Sequence, residues 1–132
     1  MRVGTSWWSL EPEPGWSAVD APECLTLTKS DLGAFQISAA RKAEAPATLE
    51  ELRRAAERQS DVMGNPFPAV FGGFRGYSVS YTSEGSFWRR YWLARDRLWI
   101  FATYNGSPDV RSSEEPEVEK MLASLRAENG AA

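Results

Sequence analysis

Residues 76–104, GYSVSYTSEGSFWRRYWLARDRLWIFATY, decide the fold predicted for this 132-residue chain. Large apolar and small hydroxyl side chains alternate at the start of this stretch, the pattern of a strand whose two faces differ. Glu84-Gly85 supplies a two-residue turn, because glycine readily takes the positive φ that hairpin turns require. A second turn is centred on Asp96 with an arginine on either side of it. The strands of this predicted meander are 76–82, 87–94 and 98–104.

The alternation along these strands divides their side chains between two faces of a sheet. The second turn is either Arg95-Asp96 or Asp96-Arg97. Both give the same division of side chains, because the two registers differ by an even number of residues. One face carries Tyr77, Val79, Tyr81, Trp88, Arg90, Trp92, Trp99, Phe101 and Thr103. The other carries Ser78, Ser80, Thr82, Phe87, Arg89, Tyr91, Leu93, Leu98, Ile100, Ala102 and Tyr104. Neither face is polar enough to lie fully in water, so we expect helices or a second sheet to cover both.

Two helices are predicted from capping signals and hydrophobic spacing. Thr48 and Glu51 form a capping box, which begins a helix that ends near residue 60. The second helix begins after Ser113, with Pro116 tolerated in its first turn. An apolar stripe at i, i+3, i+4 and i+7 directs this helix to the core through Val118, Met121, Leu122 and Leu125.

Short strands separated by turn residues precede the first helix, and the chain ends are predicted to lie outside the domain. The predicted strands are 16–19, 24–29 and 34–40. Residues 1–15 form a partly mobile arm, in which Trp7 and Trp8 point to opposite sides so that at most one of them docks on the core. This arm is either pinned to the domain or an anchor for a partner. A single domain covers 16–127, and 128–132 fray.

Composition restricts both the number of domains and the classes of function. A chain of 132 residues forms one domain by length. Its net charge of −3 argues against nucleic-acid binding, because phosphate neutralisation needs a basic surface. The sequence shows neither an apolar run of signal-peptide length nor a membrane span, so we expect a cytoplasmic protein without a membrane partner.

The rarest side chains exclude several chemistries. Histidine is absent, which removes the usual general base and the commonest transition-metal ligand. A single cysteine, Cys24, excludes an internal disulfide and a cysteine-cluster metal site. Without a basic neighbour, Cys24 is expected to be a buried structural thiol. We therefore expect no catalytic residue, no metal and no cofactor.

Candidate binding residues come from an apolar loop and from the middle strand of the meander. Residues 63–75 are predicted to form a loop whose phenylalanines either fold back on the core or line a site. Arg89 and Arg90 point to opposite faces, and stacking of Arg90 between Trp88 and Trp92 is favoured over anion recognition. The candidate residues are Phe67, Phe71, Phe74, Arg75, Arg89 and Arg90.

The order of elements, together with the meander segments FWRRYW (87–92) and WIFATYN (99–105), resembles the Mog/PsbP-like fold. The resemblance covers 16–127 and implies an α+β domain, in which a central antiparallel sheet of about six strands is packed between two main helices as an α/β/α sandwich. Proteins of this kind include an extrinsic photosystem II subunit, Ran-binding proteins and many bacterial domains, which implies non-catalytic partner binding. The acidic residues of the Ran-binding members have no matching positions here.

The sequence thus predicts a non-catalytic protein-binding module of a small bacterial cytoplasmic protein. Two alternatives stay open: an immunity-type inhibitor of a toxin, and a small-ligand carrier or enzyme with a pocket beneath residues 63–76. Without histidine, an enzyme would need an Asp or Glu of raised pKa, a Tyr, or Cys24 as acid or base. The expected partner is a protein, and the chain itself is a monomer or a homodimer.

Overall fold

A computed structural model describes residues 1–21, 24–59 and 66–128 of the chain. These residues contain ten strands and two helices. The helices are α1 (Leu49–Gln59) and α2 (Pro108–Ala123). The strands are β1 (Val3–Gly4), β2 (Trp8–Leu10), β3 (Ser17–Asp20), β4 (Leu25–Thr28), β5 (Gly33–Arg41), β6 (Phe67–Phe71), β7 (Phe74–Ser83), β8 (Ser86–Arg95), β9 (Leu98–Gly106) and β10 (Arg126–Ala127).

The main sheet has seven antiparallel strands in the order β3-β4-β5-β9-β8-β7-β6. Its centre is the predicted meander, in which Trp92 lies opposite Tyr77 on one side and Phe101 on the other. Glu84 and Gly85 take φ values of 52° and 81° in the first turn, and Asp96 takes 54° in the second. The register of the three strands confirms the predicted division of their side chains between the two faces of the sheet.

A helix packs on each face of this sheet. Leu52 and Ala56 of α1 form one core cluster with Val79, Trp92 and Ala94 of β7 and β8. On the opposite face, α2 contributes buried apolar side chains to a larger cluster with the rest of the sheet. The predicted α+β sandwich of an antiparallel sheet between two helices is confirmed, with seven strands in the main sheet instead of about six.

A buried carboxylate also joins α2 to the sheet. Glu114 is 2% exposed, and its two carboxylate oxygens accept hydrogen bonds from Tyr104 Oη at 2.8 Å and Ser30 Oγ at 2.9 Å. The backbone of Gly33 approaches so closely that any side chain at this position would collide with the Glu114 carboxylate. These contacts satisfy a charged group that would otherwise be costly to bury.

The predicted loop over 63–75 is wrong for residues 67–71, which form the edge strand β6, and for residues 74–75, which begin β7. A two-residue turn at Gly72-Gly73, with φ values of 58° and 85°, joins β6 to β7. Both glycines supply the positive φ of a type I′ hairpin turn, which twists in the same sense as the strands. Residues 63–65 of the predicted loop lie outside the described residues.

The predicted start of the second helix is also wrong, because α2 begins at Pro108 and not after Ser113. Ser107 occupies the N-cap position with extended backbone, and Pro108 stands at the start of the helix. Proline suits that position, since its missing N–H would have no helical partner there. Pro116 therefore lies inside the helix and not in its first turn.

The first residues form a small sheet with the end of the chain, in the order β1-β2-β10. Trp8 is 2% exposed in the core, and Trp7 is half-buried and packs against the same core cluster. The prediction that at most one of the pair docks on the core is therefore not confirmed. Arg2 ties the segment down by donating to Ser9 Oγ at 2.9 Å and to the Ser9 carbonyl at 3.0 Å. Partial mobility of the arm stays a prediction. Of the tail 128–132 that was predicted to fray, Glu128 donates its backbone N–H to the Trp7 carbonyl at 2.8 Å, and 129–132 lie outside the described residues.

Candidate functional site

The predicted binding residues lie on both sides of the sheet and do not form one site. Phe67, Phe71 and Phe74 are on the side covered by α2. Phe67 is 65% exposed, whereas the Phe71 ring meets the Tyr91 ring edge-on at 5.8 Å. Phe74 is fully buried, so its predicted contact with a partner is not compatible with its place in the core.

Arg89 serves the packing of α2. Its Nη1 lies 2.9 Å from Glu115 Oε2 and 3.5 Å from Glu119 Oε2, and its guanidinium lies 6.0 Å from the centre of the Tyr91 ring. Burial raises the pKa of Tyr91, which keeps this phenol neutral beside the ion pairs. Because Arg89 already has two carboxylate partners, we assign it to the interior structure and not to a binding surface.

Arg75 shares a face with Arg90 but lies at a different part of it. It is exposed and lines a cavity of about 320 Å³ beside the N-terminus of α1, together with Gly73 and Arg95. Tyr77 and Val79, which pack against the α1 cluster, stand between Arg75 and Tyr81 along β7. Arg75 and Arg90 thus share a face of the sheet, but α1 divides that face.

Arg90 is held by two aromatic rings. Its guanidinium carbon lies 5.8 Å from the Trp88 ring centre and 6.0 Å from the Tyr81 ring centre. Arg90 Nε donates a hydrogen bond of 3.0 Å to Tyr81 Oη. The two rings are themselves stacked, with centres 6.1 Å apart and planes 5° from parallel. The predicted stacking of Arg90 is confirmed on Trp88, while Tyr81 replaces Trp92, which is buried beneath α1.

These residues belong to a part of the sheet that we call the open face, which lies beside α1. Its members are partly or fully exposed side chains in neighbouring cross-strand rows. The residues of the open face are Tyr81, Trp88 and Asn105 in one row, Arg90, Thr103 and Gln36 in the next, and Phe101 and Ser38 in the third. Phe101 also packs against the α1 cluster and so connects the two regions.

On the side of the open face, the strands of the sheet carry no carboxylate. From β5 to β9, the strand residues on this side include the cations Arg75 and Arg90 but neither Asp nor Glu. On the opposite side, α2 alone has five acidic and two basic residues, a net of −3 that equals the net charge of the whole chain. The acidic excess is therefore concentrated away from the open face.

Other chemistry-bearing groups near this face are sparse. Cys24 is half-buried and not buried as predicted, because it stands at the end of a strand next to the sheet edge. Its Sγ lies 3.8 Å from Thr26 Oγ1 and 4.0 Å from Gln36 Nε2. Within residues 1–21, 24–59 and 66–128, no group of three or more Cys, Asp or Glu is placed to hold a metal ion.

A cavity of about 330 Å³, which the sequence did not predict, opens between the N-terminal segment and the strands β4 and β5. Its walls include Trp7, Trp8, Leu25 and Ile37. No local pattern could have predicted it, because it forms only when β2 packs across the sheet. Neither helix of the described chain combines the length and apolar character needed to cross a membrane.

Comparison with known proteins identifies the fold. No family model and no curated protein sequence matches the chain. The solution structure of cyanobacterial PsbP (CyanoP) from Synechocystis sp. PCC 6803 has a TM-score of 0.65 and 10% identity over 96% of this chain and 91% of CyanoP. A crystal structure from Bacteroides thetaiotaomicron VPI-5482 has a TM-score of 0.68 and 16% identity over 94% of this chain, which spans 46% of that protein. The chain has the PsbP-like fold, and these identities show the fold alone.

Proposed function

We propose that the protein is a non-catalytic protein-binding module that contacts its partner through the open face. The observation that carries this proposal is the fixed arrangement of Tyr81, Trp88 and Arg90 on a partly exposed region of the sheet. Trp, Tyr and Arg are the residue types most enriched in interface hot spots. Their mutual contacts restrict their rotamers before binding, so less conformational entropy is lost when a partner docks.

The partner class and compartment come from the sequence and are part of the proposal. We place the module in the bacterial cytoplasm, and a toxin is one partner that an immunity-type inhibitor would bind. An identified partner would distinguish this role from other binding roles. The half-exposed rings also need no metal, cofactor or acid–base pair to bind a protein surface, since apolar contact and hydrogen bonding are sufficient.

Affinity capture from a lysate of the source organism tests the proposal, with Trp88→Ala and Arg90→Ala as the two test variants. Phe67→Ser is the matched control, because Phe67 is an exposed aromatic residue on the opposite side of the sheet. We expect one specific protein on the wild type and the control but not on the two test variants. Loss of the protein from Phe67→Ser alone would place the contact on the edge strand instead and contradict the proposal.

A small-ligand carrier is the second candidate function, favoured by the cavity beside Trp7 and Trp8. The cavity has the mixed lining of small-molecule sites, with apolar walls at Leu25 and Ile37 and a hydroxyl group at Ser6. Thermal-shift screening of small molecules would test it. A ligand that raises Tm in the wild type but not after Trp7→Ala would support the carrier over the binding module.

A further inference from the structure

The guanidinium of Arg90 has free hydrogen-bonding capacity in a fixed orientation. An arginine offers five N–H donors, and the contacts of Arg90 with the described residues use only Nε, which donates to Tyr81. In the described parts of the chain, no carboxylate oxygen lies within 4.0 Å of it. Arg89 next to it has two such partners. The contrast shows that Arg90 is held by aromatic rings and not by a counter-ion.

A partner that covers the open face would remove water from this cation. Burying an unpaired charge is costly, whereas a carboxylate that accepts two parallel N–H bonds from Nη1 and Nη2 compensates for the lost hydration. Among the described residues, the face does not supply that carboxylate, because its strands carry neither Asp nor Glu on this side. We therefore infer that the partner brings the anion.

A protein carboxylate fits these observations better than the phosphates of a nucleic acid. Phosphate binding depends on several cations that release counterions, but the open face contains one, Arg90, within a chain of net charge −3. Trp88 and Tyr81 flank Arg90 with apolar ring surface, which suits the apolar side chains that accompany an acidic residue in a peptide segment.

Building on the proposed function, we propose that the partner is a protein whose acidic segment places an Asp or Glu carboxylate on Arg90 of the open face, with apolar side chains packed on Trp88 and Tyr81. The carboxylate would accept from Nη1 and Nη2, while Nε keeps its bond to Tyr81. Docking is accordingly sensitive to salt and to the planar fork of arginine, which a lysine cannot reproduce.

The test uses a library of short random peptides displayed on phage, selected on the wild-type protein and then measured as synthetic peptides. We expect the selected peptides to be enriched in Asp or Glu. Arg90→Gln is expected to weaken their binding about tenfold or more, and Arg90→Lys to restore it only in part. Arg75→Gln is the matched control, an exposed arginine on the same side of the sheet beyond α1, and is expected to leave binding unchanged.

The outcomes separate this inference from the proposed function. Peptides without acidic enrichment that still lose binding in Trp88→Ala would overturn the inference and leave the open face as a contact site. If the selected peptides bind Trp88→Ala and Arg90→Gln as tightly as the wild type, or if no peptide is selected at all, the inference and the proposed function are both overturned. A single-stranded oligonucleotide that binds with the same dependence on Arg90, in place of acidic peptides, would also overturn the inference.

Discussion

Neighbouring residues of β8 have different roles because they point to opposite faces. Arg89 pairs with two carboxylates of α2, whereas Arg90 lies on aromatic rings at the open face. Two residues further along, Trp92 faces the same way as Arg90 but is 7% exposed, because α1 covers it. The position of α1 thus decides which aromatic residue stabilises the fold and which is available for contact.

Replacing Trp92 by alanine is expected to unfold the protein or to lower its free energy of unfolding by about 3–5 kcal/mol, since a large cavity would open beneath Leu52 and Ala56. Trp99→Ala should also be strongly destabilising. Trp88→Ala should cost only about 1 kcal/mol, because this ring is partly exposed and loses mainly its stacking on Tyr81. Urea unfolding followed by circular dichroism measures all three. Equal stability of wild type and Trp92→Ala would exclude Trp92 from the core.

Alkaline pH is expected to destabilise the fold through two buried tyrosines. Burial raises the pKa of Tyr91 and Tyr104 above the ordinary value of 10.0, and the Glu114 carboxylate adds to the effect on Tyr104. The neutral phenols are thus favoured in the folded state, while the unfolded chain releases their protons once the pH passes 10. The contribution of the two tyrosines to the free energy of unfolding is fully present below that pH. Above it, the free energy of unfolding falls by up to about 1.4 kcal/mol per pH unit for each tyrosine.

Urea unfolding across the alkaline range checks this dependence. Tyr91→Phe is the informative variant, because the Tyr91 hydroxyl has no hydrogen-bond partner among the described residues and a phenylalanine fits its place. The decline of stability with pH should be shallower in this variant than in the wild type. An unchanged slope would contradict the raised pKa of Tyr91.

At the scale of elements, the meander could be predicted because two local signals agree. Period-two alternation and the turns at Glu84 and Asp96 fix the faces, and an even slip in register does not change them. The small sheet could not be predicted in this way. Its strands have two or three residues each, and pairs such as Ser9 with Arg126 form between distant parts of the chain, so no local pattern precedes them.

Edge strand β6 was missed because proline and glycine dominate its local signal. Phe71 and Phe74 flank the two-residue turn, so they form the hydrogen-bonded pair nearest to it. Hydrogen-bonded and non-hydrogen-bonded residue pairs alternate along the strand, and Pro68 is in a non-hydrogen-bonded pair. A backbone N–H at this position would point away from β7 and be unpaired. Proline is tolerated there and removes a donor from the exposed edge, which disfavours pairing with another strand.

The candidate site could be predicted only in part for a related reason. The faces of β8 and the stacking of Arg90 follow from alternation and register. Whether Phe74 or Phe67 reaches solvent depends on where α2 crosses the sheet, and the extent of the open face depends on where α1 ends. Such helix placement is decided by packing over the whole molecule and leaves no mark in a single strand.

Pro116→Ala tests the corrected start of α2. Inside a helix, proline removes the hydrogen bond to the carbonyl four residues earlier, here Ser112, and its ring crowds the preceding turn. Alanine should therefore raise the free energy of unfolding by about 1–3 kcal/mol. Urea unfolding of the variant measures the change. A difference near zero would fit a helix that begins after Ser113, with Pro116 in its first turn, and would contradict a start at Pro108.

At the scale of the whole molecule, the two sides of the sandwich differ in charge and in cover. α2 carries a net charge of −3 on one side and is tied to the sheet through Glu114 and Glu115. The other side has the shorter helix α1 and, beside it, the acid-free open face. This asymmetry would orient a partner with an acidic segment toward the open face, because like charges repel it from α2.

Site-specific photo-crosslinking in living cells of the source organism tests the central claim most directly. A photoreactive amino acid is placed at Gln36, an exposed residue of the open face, or at Thr82, an exposed residue on the opposite face of β7. The open-face account predicts a discrete crosslinked protein from Gln36 that Arg90→Gln abolishes, and none from Thr82. Crosslinking from Thr82 alone, or from Gln36 regardless of Arg90, would contradict it.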